Sequence, residues 1–216
     1  MTHENLKGRV AVVTGGGGVL CGAFAKTLAK QGVKELILIA QDTTRYGQDL
    51  YNEYKLVPLI KELSKIKGIC WIRILYCYPE MITNELLNEI KNNTKVCKYI
   101  DVPFQHIDND ILKEMNRRST EQDIRNLIDN INNNYPEISV RSTFIVGFPG
   151  ETKKQFNKLI SFLQEARISH AGFFKYSKED KTKAFYMKHQ VWEITKKRRL
   201  KMAQNTQELG EFLQFY

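Results

Sequence analysis

Six short runs of strand-forming residues, at 9–14, 36–40, 69–76, 98–102, 139–146 and 171–176, alternate with helical patterns along the chain. Leu-Ile-Leu-Ile at 36–39 and Thr-Phe-Ile-Val at 143–146 are apolar throughout instead of alternating. A strand carries such a run only when both of its faces are covered, as in a parallel sheet between layers of helices. The repetition predicts an α/β fold with a six-stranded parallel sheet, either doubly wound or curled into a partial (βα)6 TIM-like barrel. In both arrangements ligands collect where the strands end. The loops to read for chemistry are therefore 14–22, 41–51, 77–82, 103–107, 147–151 and 177–186.

Helix boundaries support this order. Ser119 with Gln122, and Thr152 with Gln155, have the spacing of a capping box, and Thr83 and Asp108 read as N-caps. The 216 residues suffice for one sizeable core. Composition breaks sharply, however, after residue 34. Residues 1–34 hold seven of the thirteen glycines and no isoleucine, whereas the remainder holds twenty isoleucines and fourteen of the fifteen asparagines. The break falls inside one helix-to-strand unit at 29–36, where no linker is written. The expected organisation is a first βα unit at 1–34, a partial barrel at 35–190 and a terminal helix at 191–216, in one compact domain.

Several function classes are set aside at this stage. No stretch reaches the roughly 20 consecutive apolar residues of a membrane span, and the N-terminus has no apolar leader, so a cytoplasmic protein without a membrane partner is expected. The net charge of +9 is densest at 196–201, on a helical pattern. That run reads as a solvated helix face, and a nucleic-acid partner is not expected. Cys21, Cys70, Cys77 and Cys97 lack the close spacing of metal loops. Cys70 and Cys77 are placed on one strand, seven residues apart and on opposite faces, where they cannot share a metal.

The loop after the first strand is rich in glycine: Val10-Ala-Val-Val-Thr-Gly-Gly-Gly-Gly-Val-Leu-Cys-Gly22. Gly15, Gly16, Gly17 and Gly18 would let backbone N–H groups reach an anion at a helix N-terminus. Over residues 6–33 this unit resembles the Rossmann opening of the short-chain dehydrogenase/reductase family. Val19 and Cys21 stand where that family's later glycines fall. Asp42, after the second strand, would then hold an adenosine ribose, and NAD(P) would be the cofactor. The family's Tyr-x-x-x-Lys pair has one counterpart in spacing, Tyr51 with Lys55, too early in the chain for the role.

A second resemblance covers residues 32–205. It rests on Glu35-Leu-Ile-Leu-Ile-Ala-Gln-Asp-Thr-Thr-Arg-Tyr-Gly-Gln-Asp-Leu-Tyr51, Trp71-Ile-Arg-Ile-Leu-Tyr-Cys-Tyr-Pro79, Tyr99-Ile-Asp-Val-Pro-Phe-Gln-His106, Met115-Asn-Arg-Arg118, Arg141-Ser-Thr-Phe-Ile-Val-Gly-Phe-Pro-Gly-Glu-Thr152 and Phe174-Lys-Tyr-Ser177. These blocks resemble the radical S-adenosylmethionine domain of the methylthiotransferases, most closely the branch that thiomethylates an aspartate of a ribosomal protein. The resemblance implies S-adenosylmethionine beside a [4Fe–4S] cluster. The cofactor's carboxylate, ribose and adenine would lie near Gln41, Gln105, Arg141, Gly147 and Gly150.

That family holds its cluster on a C-x-x-x-C-x-x-C loop, and three thiolates are needed. Residues 10–32 stand in its place with Cys21 alone. The expectation is therefore a chimera of two α/β parents without native catalysis and without an iron–sulfur cluster. It would bind at most a small anion or nucleoside ligand: phosphate, S-adenosylmethionine or NAD(P). Methylthiotransferase chemistry and NAD(P)-dependent oxidation are the two enzymatic alternatives.

Overall fold

The computed structural model describes residues 10–14 and 19–214, with side chains from 25 to 209. Its elements follow the expected alternation: β1 (Val10–Thr14), α1 (Val19–Lys30), β2 (Glu35–Ile39), α2 (Gln48–Tyr51), α3 (Leu56–Ser64), β3 (Trp71–Ile74), α4 (Asn84–Asn92), β4 (Tyr99–Asp101), α5 (Asn109–Glu114), α6 (Glu121–Asn134), β5 (Ser139–Val146), α7 (Lys153–Glu165), β6 (His170–Lys175), α8 (Lys183–Tyr186) and α9 (Glu193–Gln214).

The strands do not form one six-stranded sheet. They make two three-stranded sheets, in the orders β1-β2-β3 and β4-β5-β6. β1 pairs in parallel with β2 from Val10↔Glu35 to Thr14↔Ile39, as the first strand was expected to do. β2 pairs with β3, and β5 with β6, also in parallel. The ladder stops after β3 for a local reason. Tyr76 has φ of 57°, in the left-handed region, and its amide donates to the side chain of Asp101 at 3.1 Å instead of to a strand carbonyl. Among the described residues the bridge Ile72↔Val96, with Ile72 N donating to Lys95 O and Cys97 N to Ile72 O, and the bond from Cys77 N to Asp101 O mark where a ladder would run. β3 is thus four residues long, and neither Cys70 nor Cys77 lies on it.

The chain divides into two compact units, Met1–Val102 and Pro103–Tyr216. In the first, Leu36, Leu38, Ile72, Ile74, Ile60, Leu63, Leu87, Ile90 and Ile100 are buried. They come from β2, β3, α3, α4 and β4, whose apolar positions recur with strand or helix period. In the second unit Phe144 sits among aromatic rings. Its centroid lies 6.2 Å from Phe104, 6.3 Å from Phe162 and 5.7 Å from a stacked Phe173. α9 packs on α7 and β6.

Caps set the helix starts. Thr83 and Asp108 accept from amides of α4 and α5, and Thr152 with Gln155 closes a full capping box on α7, all as read from the sequence. On α6 the box is one residue later than expected. Thr120 and Asp123 form it, while Ser119 is buried. Gln122 had suggested the earlier pair, but a short Asp at the third helical position reaches back equally well.

The basic run at 196–201 is not a uniformly solvated face. Lys196 and Arg199 are buried, with Ala203 and Gln207 further along the same side of α9. Gln207 ties α9 to the chain before β6 by donating to Ile168 O at 3.1 Å.

Candidate functional site

Each unit carries one group of polar residues at or near its strand ends. In the first unit, Gln41 and Asp42 follow β2 directly. Gln41 is exposed. Asp42 caps a turn of 3-10 helix at Thr43–Arg45, accepting from Thr44 N at 3.1 Å and from the Thr44 hydroxyl through Oδ1. Its other oxygen, Oδ2, is buried with no hydrogen-bond partner among the described residues. The turn is stitched to the next strand end, because Thr43 N donates to Tyr76 O at 2.9 Å. Cys77 lies beside these groups, fully buried. Burial first, then the charges of Asp101 and Asp42, push its thiol far above the ordinary range, so it stays protonated.

In the second unit the sheet has one covered and one open face. Val140, Ser142, Phe144 and Val146 of β5 are buried, whereas Arg141 is exposed and Thr143 and Ile145 are half-buried. In register across β6, Arg141, Thr143 and Ile145 meet His170, Gly172 and Phe174. Phe174 remains 62% exposed, an apolar ring left uncovered at the carboxyl end of this face. Arg141 stands three residues into β5, nearer its amino end than the expected ligand loop.

Gln105 is pinned beside this strand. Its N–H donates to Thr143 O and its carbonyl accepts from Ile145 N, both at 2.8 Å. It adopts φ of 72°, which a non-glycine residue holds only when its surroundings compel it. Its side-chain Oε1 is buried and without a partner among the described residues. Leaving such an acceptor unsatisfied costs about 1–3 kcal/mol, which a donating ligand would recover.

The turn after β5 completes the group. Gly147 has φ of 73° and Gly150 of 85°. A Cβ on Gly147 would lie 2.5 Å from Lys196 Cγ, whereas one on Gly150 would meet nothing within 4 Å. Glu151 closes the turn and is buried. Its Oε2 accepts from Gly147 N and pairs with Arg199 Nη1 at 3.1 Å, and its Oε1 faces His106 Nε2 at 3.7 Å. His106 Nδ1 accepts from Asp108 N at 3.0 Å, so a neutral ring carries its proton on Nε2, toward Glu151.

Of the residues named from the sequence, Gln105, Arg141, Gly147 and Gly150 fall in the second unit and Gln41 and Asp42 in the first. Gly15, Gly16, Gly17 and Gly18 lie outside the described residues. Sequence reasoning missed Glu151, His106, Lys196 and Arg199. A signal existed: Lys196, Arg199, Ala203 and Gln207 recur at helical spacing, the pattern of a face turned inward.

The model of the radical SAM superfamily matches residues 21–163. The chain belongs to the radical SAM superfamily. Among curated relatives, it is 50% identical over 184 residues to the ribosomal protein uS12 methylthiotransferase RimO of Alkaliphilus oremlandii, covering 85% of this chain and 42% of that protein. It is 52% identical over 184 residues to the protein of the same name from Clostridium botulinum, covering 85% and 41%. The chain thus spans about two fifths of the length of these relatives. Among solved structures, coproporphyrinogen III oxidase (HemN) from Escherichia coli superposes with a TM-score of 0.60 at 16% identity, over 88% of this chain and 44% of that one. Elp3 from Methanocaldococcus infernus gives 0.54 at 14%, over 92% and 53%. Identities this low speak to the fold alone.

Radical SAM membership corrects the chimera reading. The match starts at Cys21 and so includes 29–36, which leaves no evidence for a boundary between families there, and the short-chain dehydrogenase and NAD(P) readings find no support. The expected absence of an iron–sulfur cluster is likewise overturned, since the radical SAM family and the similar methylthiotransferases imply a [4Fe–4S] cluster with S-adenosylmethionine. The described residues fit the second of these ligands: the bare Gln105 Oε1 and the open space over Gly150 suit a nucleoside. They do not supply the cluster's ligands. No three His, Cys, Asp or Glu side chains converge among the described residues, and the side chain of Cys21 lies outside them. Among the described residues no helix is long and apolar enough to cross a membrane.

Proposed function

We propose that this chain is the S-adenosylmethionine-binding part of a methylthiotransferase that modifies a ribosomal protein. The observation that carries this reading is the identity of half of 184 aligned residues with proteins named for that activity. The coarser reading, a radical SAM protein of another specificity, would not call for so high an identity.

In the proposed role Gln105, Arg141 and the 147–150 turn of the second unit receive the nucleoside. When bound, S-adenosylmethionine and its cluster would supply one-electron chemistry, although the described residues furnish no ligand set for the cluster. The chain's own residues bind and orient. Gln105 offers an acceptor already stripped of water and fixed by two backbone bonds, so little ordering remains when a donor arrives. The turn is open at Gly150, where a Cβ would meet nothing within 4 Å, while the Lys196 stem covers it at Gly147.

Anaerobic titration calorimetry of the purified chain with S-adenosylmethionine and with NAD tests this. Saturable binding of S-adenosylmethionine and none of NAD is expected. Gln105→Met keeps the shape and removes the acceptor, so affinity should fall about tenfold, or 1.4 kcal/mol, while the denaturation midpoint does not fall. An unsaturable S-adenosylmethionine signal, or tighter binding of NAD, overturns the proposal.

A further inference from the structure

Lys196 and Arg199 are buried cations of α9: Arg199 reaches the turn after β5 with its polar end, and Lys196 covers that turn with its stem. Arg199 Nη1 donates to Glu151 O at 3.0 Å and pairs with the Glu151 carboxylate at 3.1 Å. That same carboxylate receives the Gly147 amide. Lys196 Nζ donates to Tyr176 O at 3.1 Å, and Tyr176 N in turn donates to Val146 O at 2.9 Å, immediately before the turn. The stem of Lys196 occupies the position that a side chain on residue 147 would take. From the other side, Gly150 N donates to His189 O at 2.9 Å.

We propose that Arg199 and Lys196 are positioning residues, which act through Glu151 and Tyr176 to hold the 147–150 turn in its ligand-receiving form. A helix needed only for stability would dock through apolar side chains, because burying an ion pair costs desolvation that the pair roughly returns. A buried cation bonded to both the carboxylate and the carbonyl of one residue fixes the main chain there instead. The guanidinium grips both the carboxylate and the carbonyl of Glu151, so Glu151 cannot turn away without breaking two charge-assisted bonds. The amide of Gly147 is thereby held inward. The inference deepens the S-adenosylmethionine reading and rests on it.

The test uses the full chain with Arg199→Met, Arg199→Lys and, as a control on the exposed side of α9, Arg198→Met. Three quantities are read: hydrogen exchange of a peptide spanning 144–152 without ligand, the Kd for S-adenosylmethionine by equilibrium dialysis, and the thermal midpoint. In Arg199→Met, exchange of that peptide should rise about tenfold over the other β5 and β6 peptides, and Kd should rise about tenfold. Arg199→Lys should recover most of both, and Arg198→Met should match the parent. A lowered midpoint with exchange at 144–152 and Kd unchanged makes Arg199 a stabilising residue only and overturns the proposal. Where Arg199→Met does not fold, Glu151→Gln, which retains the shape and loses the charge, is read against the same outcomes. If the parent binds no S-adenosylmethionine, the functional reading fails, while ligand-free exchange still decides whether Arg199 holds the turn.

Discussion

Two glycines three residues apart face different constraints. Gly147 and Gly150 share a left-handed backbone, which costs any L-residue roughly 1 kcal/mol or more. They differ in what a methyl group would strike, since only at Gly147 does it meet the Lys196 stem, at 2.5 Å. Gly150→Ala should lower stability by about 1 kcal/mol, the backbone cost alone. Gly147→Ala adds an overpacking cost of about 1–3 kcal/mol. Urea denaturation of the two variants checks the order, and equal losses would mean that the Lys196 stem moves aside freely. From sequence, both glycines were legible as loop residues, because Gly-Phe-Pro-Gly punctuates strand and helix. Their difference was not, since it depends on α9, far along the chain.

Among the elements, α6 shows how charge controls a helix start. Asp123 accepts from the Thr120 amide at 2.8 Å and from its hydroxyl at 2.7 Å, and these bonds hold its carboxyl below the usual carboxylate range. A depressed folded value means that the stabilisation is full above the unfolded pKa of about 3.9 and is lost as pH falls through the folded value. Amide exchange in the first turn of α6 should therefore rise as pH falls below about 4 more than in α7, whose capping partner Gln155 does not titrate. Thr120→Ala should cost about 1 kcal/mol at neutral pH and remove that difference. Parallel exchange in both helices would show that the carboxylate is not the controlling group. The elements themselves were largely legible, because apolar runs and cap residues are local signals. The length of β3 was not, because Tyr76 leaves the strand conformation to meet Asp101, a partner from another strand.

For the molecule as a whole, binding and stability are linked. S-adenosylmethionine at a hundred times its Kd should stabilise the folded state by about 2.7 kcal/mol and raise the melting temperature by several degrees, with NAD giving no shift. Equal shifts from both ligands would point to a general nucleotide effect. The glycine-rich opening led the sequence reading toward two parents because glycine loops serve unrelated folds alike, and the family match from residue 21 onward gives that reading no support. The buried chemistry of α9 also sets how short this polypeptide can be made. A stop codon placed after α7 and β6 would spare every strand, yet it would take from Glu151 its partner Arg199. One placed after Arg199 would still strip Ile168 of the bond from Gln207. The shortest version of the chain that keeps its turn is thus measured from the far end of α9, beyond Gln207, and not from the last strand.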